Sequence, residues 1–253
     1  MDARQHRAAL AALEIIEWVP CFGGGVAVGI PEPALPPIEK RRPVHDPRPA
    51  PQILDQRAVS TEQLGWEALR ARVAACTACE LCHGRTQTVF GVGDPRARLV
   101  IVGEAPGAEE DRQGEPFVGP AGRLLDEMLR AIGLGREQVY ICNILKCRPP
   151  NNADPTPAQA AACRPFLARQ IALINPELIL AVGRVAAQNL LQITTPLNRL
   201  RGQIHHFATV DPGASLPVWV TYHPAYLLRS PQEKARAWED LKAVRGLLER
   251  PSP

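Results

Sequence analysis

No run of apolar residues in this 253-residue chain reaches the roughly 18 to 20 that a helical membrane span needs, so no membrane-embedded role is expected. Excess charge of one sign is also scarce. The chain carries 29 Lys and Arg against 26 Asp and Glu, a net charge of +3 that permits contact with nucleic acid without demanding it. No internal repeat is visible, which argues against a stacked-repeat architecture. No export signal is expected either: Arg4 and Arg7 precede the run 8–19, but Glu14 and Glu17 interrupt it, and Val19 to Cys21 lacks the small residues that precede a lipidated cysteine. Seven cysteines, an odd number, do not suit a disulfide framework, and a reducing cytoplasm is the expected compartment.

What is present divides the chain in two. Eight prolines fall between Pro31 and Pro51, interleaved with Lys40, Arg41, Arg42, Asp46 and Arg48, a composition that sustains neither helix nor central strand. It reads as a linker. Before it, Leu10, Leu13, Ile16 and Trp18 share a face of a short amphipathic helix, suited to packing on its own domain or to docking an unidentified protein partner. The expected organisation is an N-terminal extension over 1–60 and one catalytic-sized domain over 61–250, long enough to bury a core of about 150 to 200 residues.

From Thr61 onward, strands and helices alternate. Short apolar runs at Leu99 to Val102, Val139 to Ile144, Leu178 to Val182 and Val218 to Thr221 read as buried strands. Helical spacing appears at Gly119 to Ile132, Thr156 to Ile174, Arg184 to Leu191 and Lys234 to Leu248. Thr156, Pro157 and Gln159 open the second of these with a capping box. The expected fold is therefore α/β, a three-layer α/β/α arrangement around a mainly parallel four-stranded sheet. Ligand sites in such sheets form at the carboxyl ends of the strands. Here those ends carry Gly103, Glu104, Ala105, Pro106 and Gly107; Asn143 with Lys146, Cys147 and Arg148; Gly183; and Tyr222, His223 and Pro224. Four loops are expected to meet on one rim.

Cys76 and Cys79 form a CxxC pair, and Cys147 and Cys163 complete a four-sulfur cage only if the chain folds back on itself. With no histidine partner, this donor set suits either zinc or an iron–sulfur cluster, and spacing alone does not separate them. Cys82 offers a further sulfur at the same step. Cys142 neighbours Asn143 on a strand and should point into packing on the opposite face.

Several ordered motifs resemble the family 4 uracil-DNA glycosylases, which carry an iron–sulfur cluster. They are CTAC at 76–79, GRTQTVFGVGDP at 84–95, VGEAPGAEED at 102–111, PFVGPAGRLL at 116–125, YICNILKCRPP at 140–150, Cys163, RGQ at 201–203 and HPAYLLR at 223–229. The resemblance spans about residues 70 to 249 and leaves the first 60 outside it. It implies a [4Fe-4S] cluster held by Cys76, Cys79, Cys147 and Cys163, and excludes Cys82, Cys142 and Cys21. It also implies the activity: excision of uracil from DNA by hydrolysis of the N-glycosidic bond, leaving an abasic site.

Such an enzyme must extrude a base, hold it in a closed pocket and stabilise charge as the bond breaks. Phe117 is expected to stack on the flipped ring, while the Asn143 amide accepts from uracil N3–H and donates to O4, a pattern cytosine reverses. His223 is placed to donate toward O2, where charge grows on the leaving base. By resemblance, Gly103, Glu104, Ala105 and the backbone at Gly107 line the pocket, and Glu110 fills the space that thymine's methyl would take. Better-known uracil glycosylases place an aspartate where Ala105 stands, so Glu104 is the carboxylate expected to orient water or face the sugar cation. Leu227 is the expected wedge for the gap left by the extruded nucleotide, with Tyr226, Leu228 and Arg229 beside it. Arg229, Arg201, Lys146 and Arg148 are candidate phosphate contacts.

Two other readings compete. A superfamily member that traps uracil-containing DNA covalently would need a histidine in the loop after the Asn143 strand, and residues 147–159 hold none. A zinc-stabilised nucleotide binder would need a phosphate loop, and GEAPGAEED lacks the terminal Lys-Ser/Thr. A monomer is expected for an enzyme that tracks along DNA.

Overall fold

The computed structural model describes residues 60–209 and 214–250. The chain divides into two units, Met1–Gln52 and Ile53–Pro253, and the described residues all belong to the second. The expected N-terminal helix and proline-rich linker lie outside them.

In chain order the elements are helix α1 (Trp66–Ala74), strands β1 (Val92–Gly93) and β2 (Leu99–Gly103), helices α2 (Ala108–Gln113) and α3 (Pro120–Ala131), and strand β3 (Tyr140–Asn143). There follow α4 (Pro157–Ile174), β4 (Leu178–Val182), α5 (Arg184–Leu191), α6 (Leu197–Leu200), β5 (His205–Ala208), β6 (Ser215–Thr221), α7 (Pro224–Arg229) and α8 (Lys234–Leu248). The sheet has six strands in the order β1-β3-β2-β4-β6-β5. Its four inner strands run parallel and coincide with the four expected from sequence.

The expected count of four is corrected to six by antiparallel strands added at both edges. Neither had a pattern to read. β1 is two residues long, and β5 alternates exposure around a single buried Phe207.

Every residue of β2, β3 and β4 is buried, because helices cover both faces. Alternation then sorts their side chains into two cores. Val100, Val102, Cys142, Ile179 and Ala181 meet α4 and α5, whereas Leu99, Ile101, Ile141, Leu180 and Val182 meet α3, α7 and α8. Cys142 thus points away from the Asn143 face, as the strand period requires. A smaller cluster joins Leu69 and Val73 of α1 to Phe166 of α4, which carries the N-terminal CxxC turn onto the main body. Thr156 caps α4 as expected, with reciprocal bonds to Gln159.

Parallel register sets the ends of β2 and β3 side by side, Gly103 opposite Asn143. Val182 and Thr221 close β4 and β6 in the same way. No helix among the described residues is long and apolar enough to cross a membrane.

Candidate active site

A cavity of about 430 Å³ opens at this rim, bordered by Glu104, Gly107, Glu110, Phe117, Asn143 and His223, with Asn152, Asp154 and Arg229 at its margin. Its size suits a small ligand. The three residues expected to clasp one base, Phe117, Asn143 and His223, therefore face one space.

Contact between the first two depends on glycine. A Cβ on Gly103 would lie 2.4 Å from the Asn143 Oδ1 and 2.7 Å from the Phe117 ring, so no larger residue fits between them. Phe117 itself sits at φ 56°, in the left-handed region that a bulky residue occupies only when its surroundings hold it there. Its ring packs against that of His223, centroids 5.5 Å apart and planes at 30°. Asn143 is 2% exposed, and its Oδ1 has no hydrogen-bond partner. A buried acceptor at a cavity wall is a place for a ligand's N–H.

His223 caps α7: its Nδ1 accepts from the Ala225 N–H at 3.1 Å. The neutral ring then carries its proton on Nε2. Burial pushes the pKa down to about 4, the nearby Arg229 charge adds to this, and Glu110 opposes it. At neutral pH the ring is an uncharged donor. The backbone before α5 makes room for it, since Gly183 has φ +99° and a Cβ there would stand 2.9 Å from that of His223.

Two carboxylates behave differently. Glu104 has its pKa raised to about 7, first by burial, next by the Asp154 charge, with Arg184 acting the other way. Glu110 is anchored. It accepts from the N–H of Gly107 at 3.2 Å, Val118 at 3.1 Å and Gly119 at 3.4 Å, tying the first loop to the start of α3. Ala105 offers no side-chain function at the position beside Glu104.

Several residues depart from the roles expected of them. Leu227 is 1% exposed and packs in the core with α3, because it shares the inner face of α7 with Pro224. The outward residues are Leu228, 44% exposed, and Tyr226, 36% exposed. Arg201 is also turned inward. Its guanidinium binds the Asp240 carboxylate at 2.7 Å and the Arg236 carbonyl at 2.7 Å, and lies over the Tyr222 ring. Lys146 is 1% exposed, its ammonium donating to the Asn143 carbonyl at 2.9 Å. Neither Arg201 nor Lys146 is presented to a phosphate. Arg229 is exposed at the cavity mouth, and Arg148 donates to Asn152 at 2.8 Å.

Cys76, Cys79, Cys147 and Cys163 border another, small cavity, together with Cys82, Arg85 and Lys146. The set fits thiolate chemistry. Arg85 donates to the Cys147 sulfur at 3.0 Å and to the Cys76 carbonyl at 2.8 Å, while the Lys146 backbone N–H faces the Cys163 sulfur. Burial pushes the Cys163 thiol up to about 11, so loading such a site with a cation must expel protons. Among the described residues, no three or more His, Cys, Asp and Glu side chains are already gathered closely enough to hold a metal ion.

Asp154, Asn152 and Arg85 were not foreseen from the sequence. Arg85 had a signal, a cation nine residues past Cys76 inside the GRTQTV motif. Asp154 had none, since its loop was notable only for holding no histidine.

Fold and rim define an α/β protein with a small-ligand cavity at the carboxyl ends of its parallel strands. The family model described as the uracil DNA glycosylase superfamily matches residues 90–242. The chain is 44% identical over 185 residues to a type-4 uracil-DNA glycosylase of Archaeoglobus fulgidus, covering 72% of this chain and 92% of that one. It is 43% identical over 187 residues to the type-4 enzyme of Thermotoga maritima, 73% of this chain and 95% of that one. To the type-5 uracil-DNA glycosylase of Thermus thermophilus it is 33% identical over 157 residues, 48% of this chain and 71% of that one. The chain belongs to the uracil DNA glycosylase superfamily, on its type-4 branch.

Proposed function

We propose that this protein excises uracil from DNA through the Gly103, Phe117, Asn143 and His223 rim, hydrolysing the N-glycosidic bond and leaving an abasic site. The observation that carries the assignment of roles is the unpartnered Asn143 Oδ1, buried on the wall of the cavity that Phe117 and His223 share. Uracil N3–H satisfies that acceptor and O4 takes the amide N–H. Cytosine offers an acceptor at N3 and a donor at C4, so neither hydrogen bond could form.

The extruded ring lies against Phe117, and the bond between N1 and C1′ breaks with its electron pair leaving on the base. The His223 Nε2–H donates to O2 as that charge develops, and a neutral donor needs no protonation step. Water adds to C1′ and gives its proton to the Glu104 carboxylate or to solvent. A carboxylate with pKa near 7 is matched to that task. Glu110 keeps the loop closed against the base by holding Gly107, Val118 and Gly119. Leu228, not Leu227, is the side chain available to fill the vacated stack, with Arg229 beside it for a phosphate.

We also propose that Cys76, Cys79, Cys147 and Cys163 hold a [4Fe-4S] cluster. One cavity lined by the four sulfurs, with N–H donors facing Cys147 and Cys163, supports a thiolate-held group here, and the type-4 relatives favour the cluster over a zinc ion. Its contribution is structural, stapling the α1 turn, the loop after β3 and α4.

Incubation with a uracil-containing oligonucleotide tests the activity, followed by alkaline cleavage. Free uracil and cleavage at that position are expected, whereas a persistent protein–DNA adduct or an intact strand would remove the reading. Iron and acid-labile sulfide test the cluster, and one zinc per colourless chain would replace it.

A further inference from the structure

Phe117 is a bulky residue at φ 56°, and such a residue keeps that conformation only where its surroundings fix the peptide links on either side. The links after it are held by Glu110, whose carboxylate accepts from the N–H of Val118 and Gly119. The link before it has a different holder. The Pro116 carbonyl accepts from the guanidinium of Arg136, which stands on the 3-10 turn Arg136–Gln138 that leads into β3. Another nitrogen of the same guanidinium pairs with Asp126 of α3 at 3.2 Å, the two side chains being 23% and 34% exposed. The Phe117 carbonyl in turn lies directly on α3, since a Cβ on Gly122 would stand 1.7 Å from its oxygen. The Arg136 fork therefore joins three pieces of the site: the turn before β3, helix α3, and the segment that presents the aromatic ring.

We propose that Arg136 is a positioning residue for base stacking: by holding the Pro116 carbonyl in a fixed relation to α3 and β3, it keeps the Phe117 backbone left-handed and its ring at the face that the extruded uracil meets. This rests on Phe117 stacking with the base, as in the function proposed above. Without the guanidinium the peptide before Phe117 is free to rotate, the residue relaxes toward a commoner backbone region, and its ring leaves the place beside Gly103 and His223. Arg136 does not border the cavity, so its effect on excision passes through Phe117.

A double-mutant cycle tests this on the full-length wild type, Arg136→Met, Phe117→Ala and the double variant. For each, kcat and KM on a single-stranded uracil oligonucleotide are measured beside a thermal melt. Arg136→Met alone is expected to lose roughly 10- to 100-fold in kcat/KM, the size of a misplaced positioning group. In the Phe117→Ala background it should lose nothing further, because the ring it positions is gone. A purely structural role would lower both backgrounds alike, so losses that multiply overturn the proposal, as does wild-type kcat/KM in Arg136→Met. If Arg136→Met does not fold, Arg136→Lys decides. A lysine cannot span Pro116 and Asp126 as the planar fork does, so a smaller loss is expected that again vanishes beside Phe117→Ala. No loss, or one that persists in that background, overturns the proposal. A wild type that releases no uracil would defeat the proposed function, and Phe117→Ala at the wild-type rate would defeat its use of Phe117; both differ from an active wild type whose two losses multiply.

Discussion

In the proposed mechanism Asn143 and His223 address one base from different edges, and each has a distinct way to fail. Replacing either with Ala should lower kcat for uracil excision by about 100- to 1000-fold, the size seen when one donor aimed at developing charge is removed. Glu104 adds a pH dependence. If its carboxylate accepts a proton from water, kcat/KM rises with pH through about 7 and levels off above it, and Glu104→Gln should flatten that rise. Stability moves the opposite way. A folded pKa above the unfolded value of about 4.5 means the native state holds the extra proton between roughly pH 4.5 and 7, so the protein loses stability as pH climbs through that window. Thermal melts of Glu104→Gln should therefore exceed wild type at pH 8 and match it at pH 4. His223, with its pKa near 4, stays neutral throughout the working range and contributes no second limb there.

At the scale of an element, α7 separates two adjacent leucines by a third of a turn. Leu227 faces the core with Pro224, and Leu228 faces outward. Leu227→Ala should cost about 2–5 kcal/mol of stability as a buried cavity mutant. Leu228→Ala should leave stability within about 0.5 kcal/mol and instead reduce excision from duplex more than from single strands, since only the duplex has a stack to refill. Chemical denaturation of both variants, beside rates on the two substrates, reads this out. Equal duplex and single-strand losses for Leu228→Ala would reject it as the wedge.

Across the molecule, α8 is tied by a buried ion pair to Arg201 at the end of α6, and by a hydrogen bond from Thr221 to the sheet. Asp240, 3% exposed at its side chain, accepts from Arg201 at 2.7 Å and from Thr221 at 2.7 Å. Removing one partner leaves the other charge unpaired, so Asp240→Ala should cost about 3–5 kcal/mol. Arg201→Ala should likewise melt at lower temperature while leaving the salt dependence of DNA binding unchanged. Arg229→Ala, by contrast, should reduce the slope of log affinity against log salt by about 1, because one phosphate is no longer neutralised.

Periodicity and motif order determined a good deal without coordinates: the four inner strands, the capped α4, the turning of Cys142 away from the Asn143 face, and Phe117, Asn143 and His223 as one constellation. These are local signals, since a buried strand and a helix cap are written in neighbouring residues. Which leucine of α7 faces the core, and whether Arg201 and Lys146 meet phosphate or an internal partner, depended on what lies opposite them. Asp240 is 39 residues from Arg201, and Lys146, which donates to the Asn143 carbonyl, borders the same cavity as Cys163 of α4. Packing against distant elements, not sequence spacing, chose those partners, and the edge strands β1 and β5 exist because inner strands offered them free backbone to pair with.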